Sequence, residues 1–451
     1  MYLKQKKISV IGQGFIGLPM SLVLSNIKKN GKYIYEICGI ENNNEYGKII
    51  FNSYLKEKIW IDTDDKKLSK IFSKNIKKNF FLSLDYSSLK TSDIIILSIG
   101  FDFTKNNSLQ NLKNLIFEIF SRVQEDKILI IETTLPPGTC DKILIPIAKS
   151  IFKKRKLDFN KFSFCYSFER IMPGINYINS IANINRVYSG NTLNAKKKCV
   201  KFLKKFINYK KFKITCLENI IDAEATKVFE NTYRAVNIAL IDEWLKFSEN
   251  LKINLNSCLR AIRLRPSHNN IRYPGLGVGG YCLTKDPLFL EYSAQKIHKK
   301  KFKFPITNSA ISINKKMVSN SIIFLQKKLL NEKNRKILIL GLAYKDSISD
   351  IRNSPSLELI KVLIKKKYKV YFYDNLVVRP VNIAIIKINK ITEISSIKNI
   401  VICQKTDFFL KFKHSLNSNA KNYFDLNNVL TKKETRFIKN TKSQIQTLGG
   451  K

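Results

Sequence analysis

The stretch ISVIGQGFIGLPMSLVL, residues 8–24, decides the fold of the first part of this chain. An apolar strand pattern leads into Gly12, Gly14 and Gly17, which have G-x-G-x-x-G spacing, and a helix-compatible apolar run follows. In such a turn the first glycine allows a tight bend, the second lets the backbone approach a pyrophosphate, and the third lets the helix pack on the strand. The pattern therefore predicts a Rossmann dinucleotide site.

The residues around this turn specify the predicted cofactor. A helix starting here presents free N–H groups to phosphates, so Phe15 and Ile16 join the predicted cofactor-binding residues. A second strand pattern, residues 35–41, ends in Glu41. A carboxylate there can accept both ribose hydroxyls and repels a 2′-phosphate, which predicts NAD rather than NADP. The alternative is a tight turn that binds no ligand.

Further strand patterns follow, separated by helical stretches: residues 92–100, 127–139 and 161–170. This alternation predicts an α/β fold with a parallel, doubly wound sheet. Ligands of such sheets bind beyond the carboxyl ends of the strands. Thr133, Thr134 and Glu169 come at strand ends, so we expect them near the ligand.

Residues 219–251 contain no glycine or proline and predict one long helix. One predicted face carries Ala223, Lys227, Asn231, Arg234 and Ile238. Lys227 and Asn231 are four residues apart, so their side chains emerge together. Helix geometry alone leaves open that Lys227 is an ordinary solvated charge.

A second α/β unit begins near residue 335 and has strand patterns at 368–375 and 399–409. Its order resembles that of the first unit. Gly341 stands there without the rest of a glycine triplet, so we expect this unit to hold a nucleotide differently.

The composition is strongly basic, with 80 Lys+Arg against 35 Asp+Glu and a formal net charge of +45. The lysines are spread along the chain without a basic cluster interleaved with stacking aromatics, so nucleic acid is not a predicted partner. The 8 cysteines and 3 histidines have no close metal-ligand spacing. No signal-peptide pattern or long apolar run is present, so we expect a cytoplasmic protein with reduced thiols and neither a metal site nor a membrane span.

The stretch PGLGVGGYCLTKDP, residues 274–287, concentrates four glycines ahead of Cys282. Three interpretations compete for this thiol. It can be a buried apolar residue, a metal ligand, or a nucleophile presented by a loop that has few side chains.

Six blocks of the sequence, in this order, resemble the UDP-glucose/GDP-mannose dehydrogenase family: GQGFIGLPM, ETTLPPGT, SFERIMPG, EATKVFENTYRAVNIALIDE, PGLGVGGYCLTKDP and GLAYKDSISDIRNSPS. The resemblance covers nearly the whole chain and implies two Rossmann-like domains joined by a long central helix that forms a homodimer interface. The implied domains are an NAD-binding domain, a central helical domain and a nucleotide-sugar-binding domain at residues 1–205, 206–315 and 316–451.

The resemblance implies that Cys282 is the nucleophile of a four-electron oxidation. The C6 alcohol of a nucleotide sugar becomes an aldehyde, the thiolate captures it as a thiohemiacetal, and a second oxidation gives a thioester that water hydrolyses. Thiolates suit this chemistry because they are strong nucleophiles.

The resemblance also implies roles for five further residues. Lys227 would steady the developing oxyanion with Asn231 beside it. Asp286 would hold Lys227 or an ordered water. Thr134 would position the hydrolytic water, and Glu169 would act as its acid and base.

Other positions match family residues that contact substrate or cofactor. Thr134 and Arg352 are implied cofactor contacts. The implied substrate contacts besides Lys227 and Asn231 are Arg272, Tyr273, Gly277, Gly279 and Lys345. An arginine that reaches the neighbouring subunit is expected before the glycine loop, and spacing does not decide between Arg265 and Arg272.

Departures from the family pattern bear on the substrate. Pro173 stands where glucose- and mannose-oxidising members carry a second acid, so a UDP-N-acetylhexosamine is the expected substrate, with UDP-glucose or GDP-mannose as alternatives. The strand end SIGFD lacks the usual Thr-Pro, which puts cofactor contacts at Gly100 and Phe101 in doubt. A simple hydroxy-acid dehydrogenase, which would yield one NADH per substrate, and a nucleic-acid-binding protein are alternatives of other classes.

Overall fold

The chain forms two compact units, each with its own sheet of mainly parallel strands. Unit 1 comprises Met1–Glu230 and Phe289–Lys303, and unit 2 comprises Asn231–Leu288 and Phe304–Lys451. A computed structural model describes residues 5–450 except for 62, 105, 172, 175, 330–333, 378–382, 391–392 and 413–420. No helix in this described part of the chain is long and apolar enough to cross a membrane.

The strands are β1 (Lys6–Ile11), β2 (Lys28–Lys29), β3 (Lys32–Tyr33), β4 (Tyr35–Ile40), β5 (Phe80–Ser83), β6 (Ile94–Leu97), β7 (Ile128–Ile131), β8 (Ser163–Tyr166), β9 (Arg186–Gly190), β10 (Ile214–Cys216), β11 (Lys336–Leu340), β12 (Lys369–Tyr373), β13 (Ile386–Lys387), β14 (Asn399–Ile402), β15 (Asn422–Asp425) and β16 (Gln444–Thr447). The α-helices are α1 (Gly17–Ser25), α2 (Glu45–Leu55), α3 (Lys66–Asn75), α4 (Ser108–Phe120), α5 (Ile145–Lys154), α6 (Tyr177–Ala182), α7 (Leu193–Leu203), α8 (Ile220–Asn250), α9 (Leu255–Ile262), α10 (Cys282–Lys285), α11 (Phe289–Tyr292), α12 (Pro305–Leu329), α13 (Pro355–Lys365), α14 (Phe408–Phe412) and α15 (Lys432–Asn440).

The sheet of unit 1 has the strand order β10-β9-β8-β7-β6-β1-β4-β5. Its central strands are runs of Ile, Leu and Val buried on both faces, as parallel strands covered by helices require. The predicted α/β architecture is confirmed, with one departure from a parallel sheet, since β9 runs antiparallel to β8. In the described part of residues 167–185 between them, the chain forms the six-residue α6 and returns to the edge where β8 ends.

The sheet of unit 2 has the order β13-β12-β11-β14-β15-β16, and all of its strand pairs are parallel. Apolar side chains from α12, α13 and the strands form its core. In both units the strand order reverses beside the first strand of the sheet, and such switch points bind ligands at the carboxyl edge.

The predicted long helix is α8, which has 31 residues. Ala223, Lys227 and Asn231 are buried on it as the helical spacing predicts. Arg234 is exposed although spacing assigns it to the same face, and Ile238 is half-buried. Spacing fixes the direction of a side chain along a helix, whereas the elements packed against the helix fix its burial.

Candidate active site

The turn between β1 and α1 has the geometry that its glycines predict. Gly12 has a φ of +88°, which favours glycine. A Cβ on Gly17 would lie 1.7 Å from the carbonyl oxygen of Gly12, so this position must remain glycine for α1 to pack there. No atom lies within 4 Å of a Cβ built on Gly14, so its surroundings are open.

These residues fit the predicted NAD. Glu41 follows β4, and its carboxylate accepts the backbone N–H of Gln13 beside the turn. Burial raises the pKa of Glu41, while the N–H groups of Gln13 and Asn42 lower it. Within the described residues, no side chain caps the N-terminus of α1 at Ile16. The Leu18 N–H donates to the Gly14 carbonyl at 3.2 Å and Pro19 has no N–H, so the contact of this turn with phosphate oxygens stays a prediction. Phe15 is half-buried, and its backbone carbonyl accepts a hydrogen bond from the Tyr177 hydroxyl.

The two threonines after β7 differ in their surroundings. Thr133 is buried, and its Oγ1 accepts the Ile99 N–H at 3.1 Å and donates to the Ile99 carbonyl at 3.0 Å. Thr134 is half-buried. Thr133 therefore ties the end of β7 to the backbone at Ile99. The predicted role of holding the hydrolytic water stays with Thr134.

Unit 1 brings Lys227 to Glu169. The Lys227 ammonium donates to the Glu169 carbonyl at 2.9 Å and lies 3.8 Å from Oε1 of its carboxylate. Glu169 Oε2 accepts the Ile171 N–H at 2.5 Å. The ammonium also lies 5.5 Å from the centre of the Phe168 ring. Lys227 is thus a partly desolvated cation held beside a carboxylate and not a solvated charge.

Arg170 fastens the segment after β8 to α8, and the sequence analysis missed this contact. Its Nε and Nη2 donate to Glu230 Oε2 at 3.0 and 2.8 Å, and Nη1 donates to the Asn185 carbonyl at 3.1 Å. Glu230 lies one turn beyond Lys227. Arg170 and Glu230 each lie in a family-like block, SFERIMPG and EATKVFENTYRAVNIALIDE, and this is the feature of the sequence that marks them as candidates for a contact.

A buried carboxylate organises residues of unit 2. Asp286 is fully buried, and its two oxygens accept Lys285 Nζ at 2.6 Å and Asn231 Nδ2 at 2.8 Å. The role that the resemblance implies for Asp286, holding Lys227 or an ordered water, stays a prediction. Lys285 also lies 4.5 Å from the centre of the Tyr281 ring. Asp286 therefore orients the Asn231 amide and the end of α10, the short helix that Cys282 begins.

Cys282 is the first residue of α10 and is exposed. Exposure argues against the buried apolar interpretation of this thiol. Among the residues that the structure describes, no group of three or more Cys, His, Asp or Glu side chains is arranged to hold a metal ion. The nucleophile interpretation is the one that this position supports.

Close packing within unit 2 explains why the positions before Cys282 are glycines, and the sequence alone did not show this. Gly280 has a φ of +79°, and a Cβ there would lie 2.6 Å from the Tyr344 ring. A Cβ on Gly279 would lie 2.7 Å from both Tyr344 and Pro355, and one on Gly277 would lie 2.7 Å from Val318. The glycines let the loop pack against its own unit, and the predicted substrate contacts at Gly277 and Gly279 stay predictions.

The loop is also held by backbone contacts. The Gly280 N–H donates to the Arg352 carbonyl at 3.1 Å, and the Arg352 guanidinium lies 5.4 Å from the centre of the Tyr281 ring. The same guanidinium pairs with Asp350 through contacts of 2.6 to 3.0 Å. Arg352 therefore lies beside the loop that carries Cys282, and its predicted cofactor contact stays a prediction.

The remaining predicted substrate residues lie in unit 2. Lys345 is half-buried, and its pKa is lowered by burial first and also by Arg234, against the opposing effect of Asp346. Tyr273 is half-buried, and the Arg263 guanidinium lies over its ring, 5.1 Å from the ring centre. Both candidates for the inter-subunit arginine, Arg265 and Arg272, are exposed.

At SIGFD, Phe101 is buried and packs edge-on against Phe289, with ring centres 5.8 Å apart, while Gly100 is exposed. Phe101 therefore serves the core of unit 1. Pro173 is half-buried, and its neighbours Met172 and Ile175 lie outside the described residues.

Comparison with known families matches three models in order. They are the NAD binding domain of the UDP-glucose/GDP-mannose dehydrogenase family over residues 6–209, its central domain over 221–316 and its UDP binding domain over 338–432. The matches agree with the predicted family and with NAD as cofactor.

Individual relatives extend over most of the chain. A UDP-N-acetyl-D-mannosamine dehydrogenase of Methanococcus vannielii is 30% identical over 380 residues, covering 82% of this chain and 80% of that protein. A UDP-N-acetyl-D-glucosamine 6-dehydrogenase of Salmonella typhi is 28% identical over 381 residues, with 82% of each covered. The structure of UDP-D-ManNAc dehydrogenase from Pyrococcus horikoshii matches with a TM-score of 0.74 at 24% identity, over 98% of this chain and 99% of that one. This last similarity shows the shared fold.

Proposed function

This chain belongs to the UDP-glucose/GDP-mannose dehydrogenase family, and from that membership we propose that it oxidises the C6 alcohol of a UDP-N-acetylhexosamine to the uronic acid through a covalent Cys282 intermediate. It is an NAD-dependent nucleotide-sugar dehydrogenase. The observation that carries the proposed mechanism is the exposed Cys282 thiol at the end of a glycine loop fixed by Tyr344 and Arg352.

In the first half of the proposed reaction, the C6 hydroxyl loses its proton and the carbon loses a hydride, which gives an aldehyde. When bound, NAD would accept this hydride, and a second NAD would accept the hydride of the second oxidation. The Lys227 ammonium and the Asn231 amide donate to the oxygen as negative charge develops on it. Partial burial of Lys227 strengthens this attraction, because less water screens the charge.

In the second half, the Cys282 sulfur forms a bond to the aldehyde carbon, and the oxygen takes up a proton to complete the thiohemiacetal. Loss of a second hydride and that proton leaves a thioester. Thr134 holds a water molecule, and Glu169 removes its proton as it attacks the thioester carbon. The C–S bond then breaks, and the products are the sugar carboxylate and a restored Cys282 thiol.

The sugar is proposed from Pro173 and from the relatives. Proline supplies neither a side-chain acceptor nor a backbone N–H, so the site lacks the second acid expected for glucose- or mannose-oxidising members. An acetamido group brings its own carbonyl and methyl and needs room rather than a carboxylate. Relatives named for UDP-N-acetylmannosamine and UDP-N-acetylglucosamine support the same class.

The test measures NADH formed per nucleotide sugar consumed, with UDP-GlcNAc, UDP-ManNAc, UDP-glucose and GDP-mannose as substrates. We expect two NADH per molecule and a higher kcat/KM for an acetamido sugar. One NADH per substrate would contradict the four-electron reaction. A tenfold preference for UDP-glucose or GDP-mannose, about 1.4 kcal/mol, would contradict the proposed sugar class.

Cys282→Ser tests the nucleophile. The variant should fold and bind NAD but lose acid formation by orders of magnitude, because an alkoxide does not replace the thiolate. Cys258→Ser is the matched control, since Cys258 is also an exposed cysteine of unit 2 and should retain full activity. Near-normal acid production by Cys282→Ser would refute the covalent role.

We further propose the three functional domains at residues 1–205, 206–315 and 316–451 and a homodimer formed along α8. Exposed apolar side chains along α8 support the dimer, and the Discussion gives its test. A cytoplasmic location stays a prediction.

A further inference from the structure

Glu132 and Arg186 meet at the carboxyl edge of the unit 1 sheet. Glu132 follows β7 directly, and Arg186 is the first residue of β9. Because β9 is antiparallel to β8, its first residue lies at the edge where β7 and β8 end. The segment after β8 runs beside it, since Ser167 Oγ donates to the Val187 carbonyl at 3.1 Å. Glu169 comes two residues later on that segment.

The two side chains are buried, and some of their polar atoms have no hydrogen-bond partner among the described residues. The exposed fractions of the two side chains are 0% for Arg186 and 2% for Glu132. Arg186 Nη2 donates to Glu132 Oε1. Within the described part of the chain, Glu132 Oε2 and Arg186 Nε and Nη1 have no hydrogen-bond partner. Buried charges left without such partners are screened weakly, so they act on neighbouring charges.

Glu169 is a neighbouring charge that acts on Glu132. Burial raises the pKa of Glu132 most strongly, Arg186 lowers it and Glu169 raises it further, and the result is about 7. Glu169 in turn lies beside Lys227, 3.8 Å from Oε1 to Nζ. Four charged side chains thus act in the order Arg186, Glu132, Glu169, Lys227, with the two carboxylates between the two cations. All four belong to unit 1.

On the basis of the function proposed above, we propose that Glu132, held by Arg186, is a positioning residue whose charge controls proton uptake by Glu169 during thioester hydrolysis. An ionised Glu132 repels the Glu169 carboxylate, and this repulsion favours proton transfer from water to Glu169. Glu132 touches no reacting atom in this scheme. Since its pKa is raised to about 7, Glu132 is charged above that pH and neutral below it, so its effect appears as pH rises through 7.

The test is the pH profile of Glu132→Gln, which keeps the side-chain shape and removes the charge. We expect kcat to match the wild type below about pH 6 and to be lower by about tenfold above pH 8, which corresponds to one unit in proton affinity. KM for the nucleotide sugar should not change. Glu132→Asp restores a charge and should restore the pH step. An equal loss at every pH would assign Glu132 a purely structural role and overturn the proposal.

Glu125→Gln is the matched control. Glu125 pairs with Lys161 at 3.1 Å, and the two residues precede β7 and β8, so they lie at the opposite edge of the same sheet. The same substitution breaks an ion pair there, and we expect the wild-type pH profile. A profile changed in the same way as in Glu132→Gln would overturn the proposal.

A second measurement separates this inference from the proposed function. Thermal unfolding midpoints of Glu132→Gln, Glu169→Gln and the double variant form a cycle that needs no substrate. We expect the two changes to be coupled at pH 8 and additive at pH 5.5, because Glu132 is charged only at the higher pH. Additivity at both pH values would refute the inference even in an active enzyme. A wild type that oxidises no nucleotide sugar would refute the function and leave the cycle valid.

Discussion

Gly14 and Gly17 differ in what a side chain would meet, although both belong to the same turn. A Cβ on Gly17 would overlap the Gly12 carbonyl oxygen at 1.7 Å, whereas one on Gly14 would meet no atom within 4 Å. The protein's own packing therefore explains the third glycine. It does not explain the second, which we expect to leave space for a bound pyrophosphate.

Paired substitutions test this difference. Gly17→Ala should destabilise unit 1 by more than about 3 kcal/mol, because backbone must move to relieve the overlap. Gly14→Ala should change stability by less than about 0.5 kcal/mol and weaken NAD binding by roughly tenfold. Urea denaturation and calorimetric titration with NAD measure the two effects. Unchanged NAD affinity in Gly14→Ala would contradict a cofactor at this turn.

At the scale of elements, the two glycine turns use their strand-end acids differently. Glu41 accepts the Gln13 N–H in unit 1. Asp374, which follows β12 in unit 2, has one oxygen bonded to the Leu342 N–H at 2.7 Å and the other to the Leu376 and Val377 N–H groups at 2.9 Å. These amides occupy both oxygens of Asp374. The expectation that unit 2 holds a nucleotide differently stays a prediction.

Asp374→Asn should therefore lower the free energy of unfolding of unit 2. An amide has one acceptor oxygen, so at least one buried N–H would lose its partner at a cost of about 1–3 kcal/mol. Urea denaturation of unit 2, followed by a fluorescence probe, gives the measurement. Glu358→Gln is the control, because Glu358 is exposed in the first turn of α13 and its change should stay within about 0.5 kcal/mol. Equal effects of the two substitutions would contradict the conclusion that Asp374 stabilises unit 2 by accepting these backbone N–H groups.

At the scale of the whole molecule, one exposed stripe points to self-association. Phe229, Tyr233, Leu240, Phe247 and Leu251 are all exposed, and their spacing of four and seven residues places them on one side of α8 and its end. Contiguous exposed apolar side chains mark protein–protein surfaces. We therefore expect this stripe to be covered in a homodimer.

Tyr233→Asp combined with Phe247→Asp should convert the dimer to a monomer, because charges would be buried without partners at the interface. Light scattering after size-exclusion chromatography gives the mass against the 52.2 kDa chain. Ile323→Asp is the control, since Ile323 is an exposed apolar residue of a different helix, α12, and it should leave the mass unchanged. A monomeric wild type would contradict the expectation.

The sequence by itself determined the features that local spacing encodes. The glycine triplet before an apolar helix, the apolar strand runs and the uninterrupted α8 all depend on neighbouring residues, so their patterns are readable directly. The six family-like blocks added the family and NAD, and the family models confirm both. The exposed position of Cys282 agrees with its predicted presentation by a glycine loop.

Only the tertiary structure decided which distant side chains meet. Glu132 pairs with Arg186 across 54 residues, and Asp286 pairs with Asn231 across 55. The glycines of the Cys282 loop are required by Tyr344 and Pro355, which lie far along the chain. No local pattern encodes such contacts, because strand order and the antiparallel turn into β9 bring these residues together. Burial and the resulting charge interactions then follow from the packing, and so does the raised pKa of Glu132.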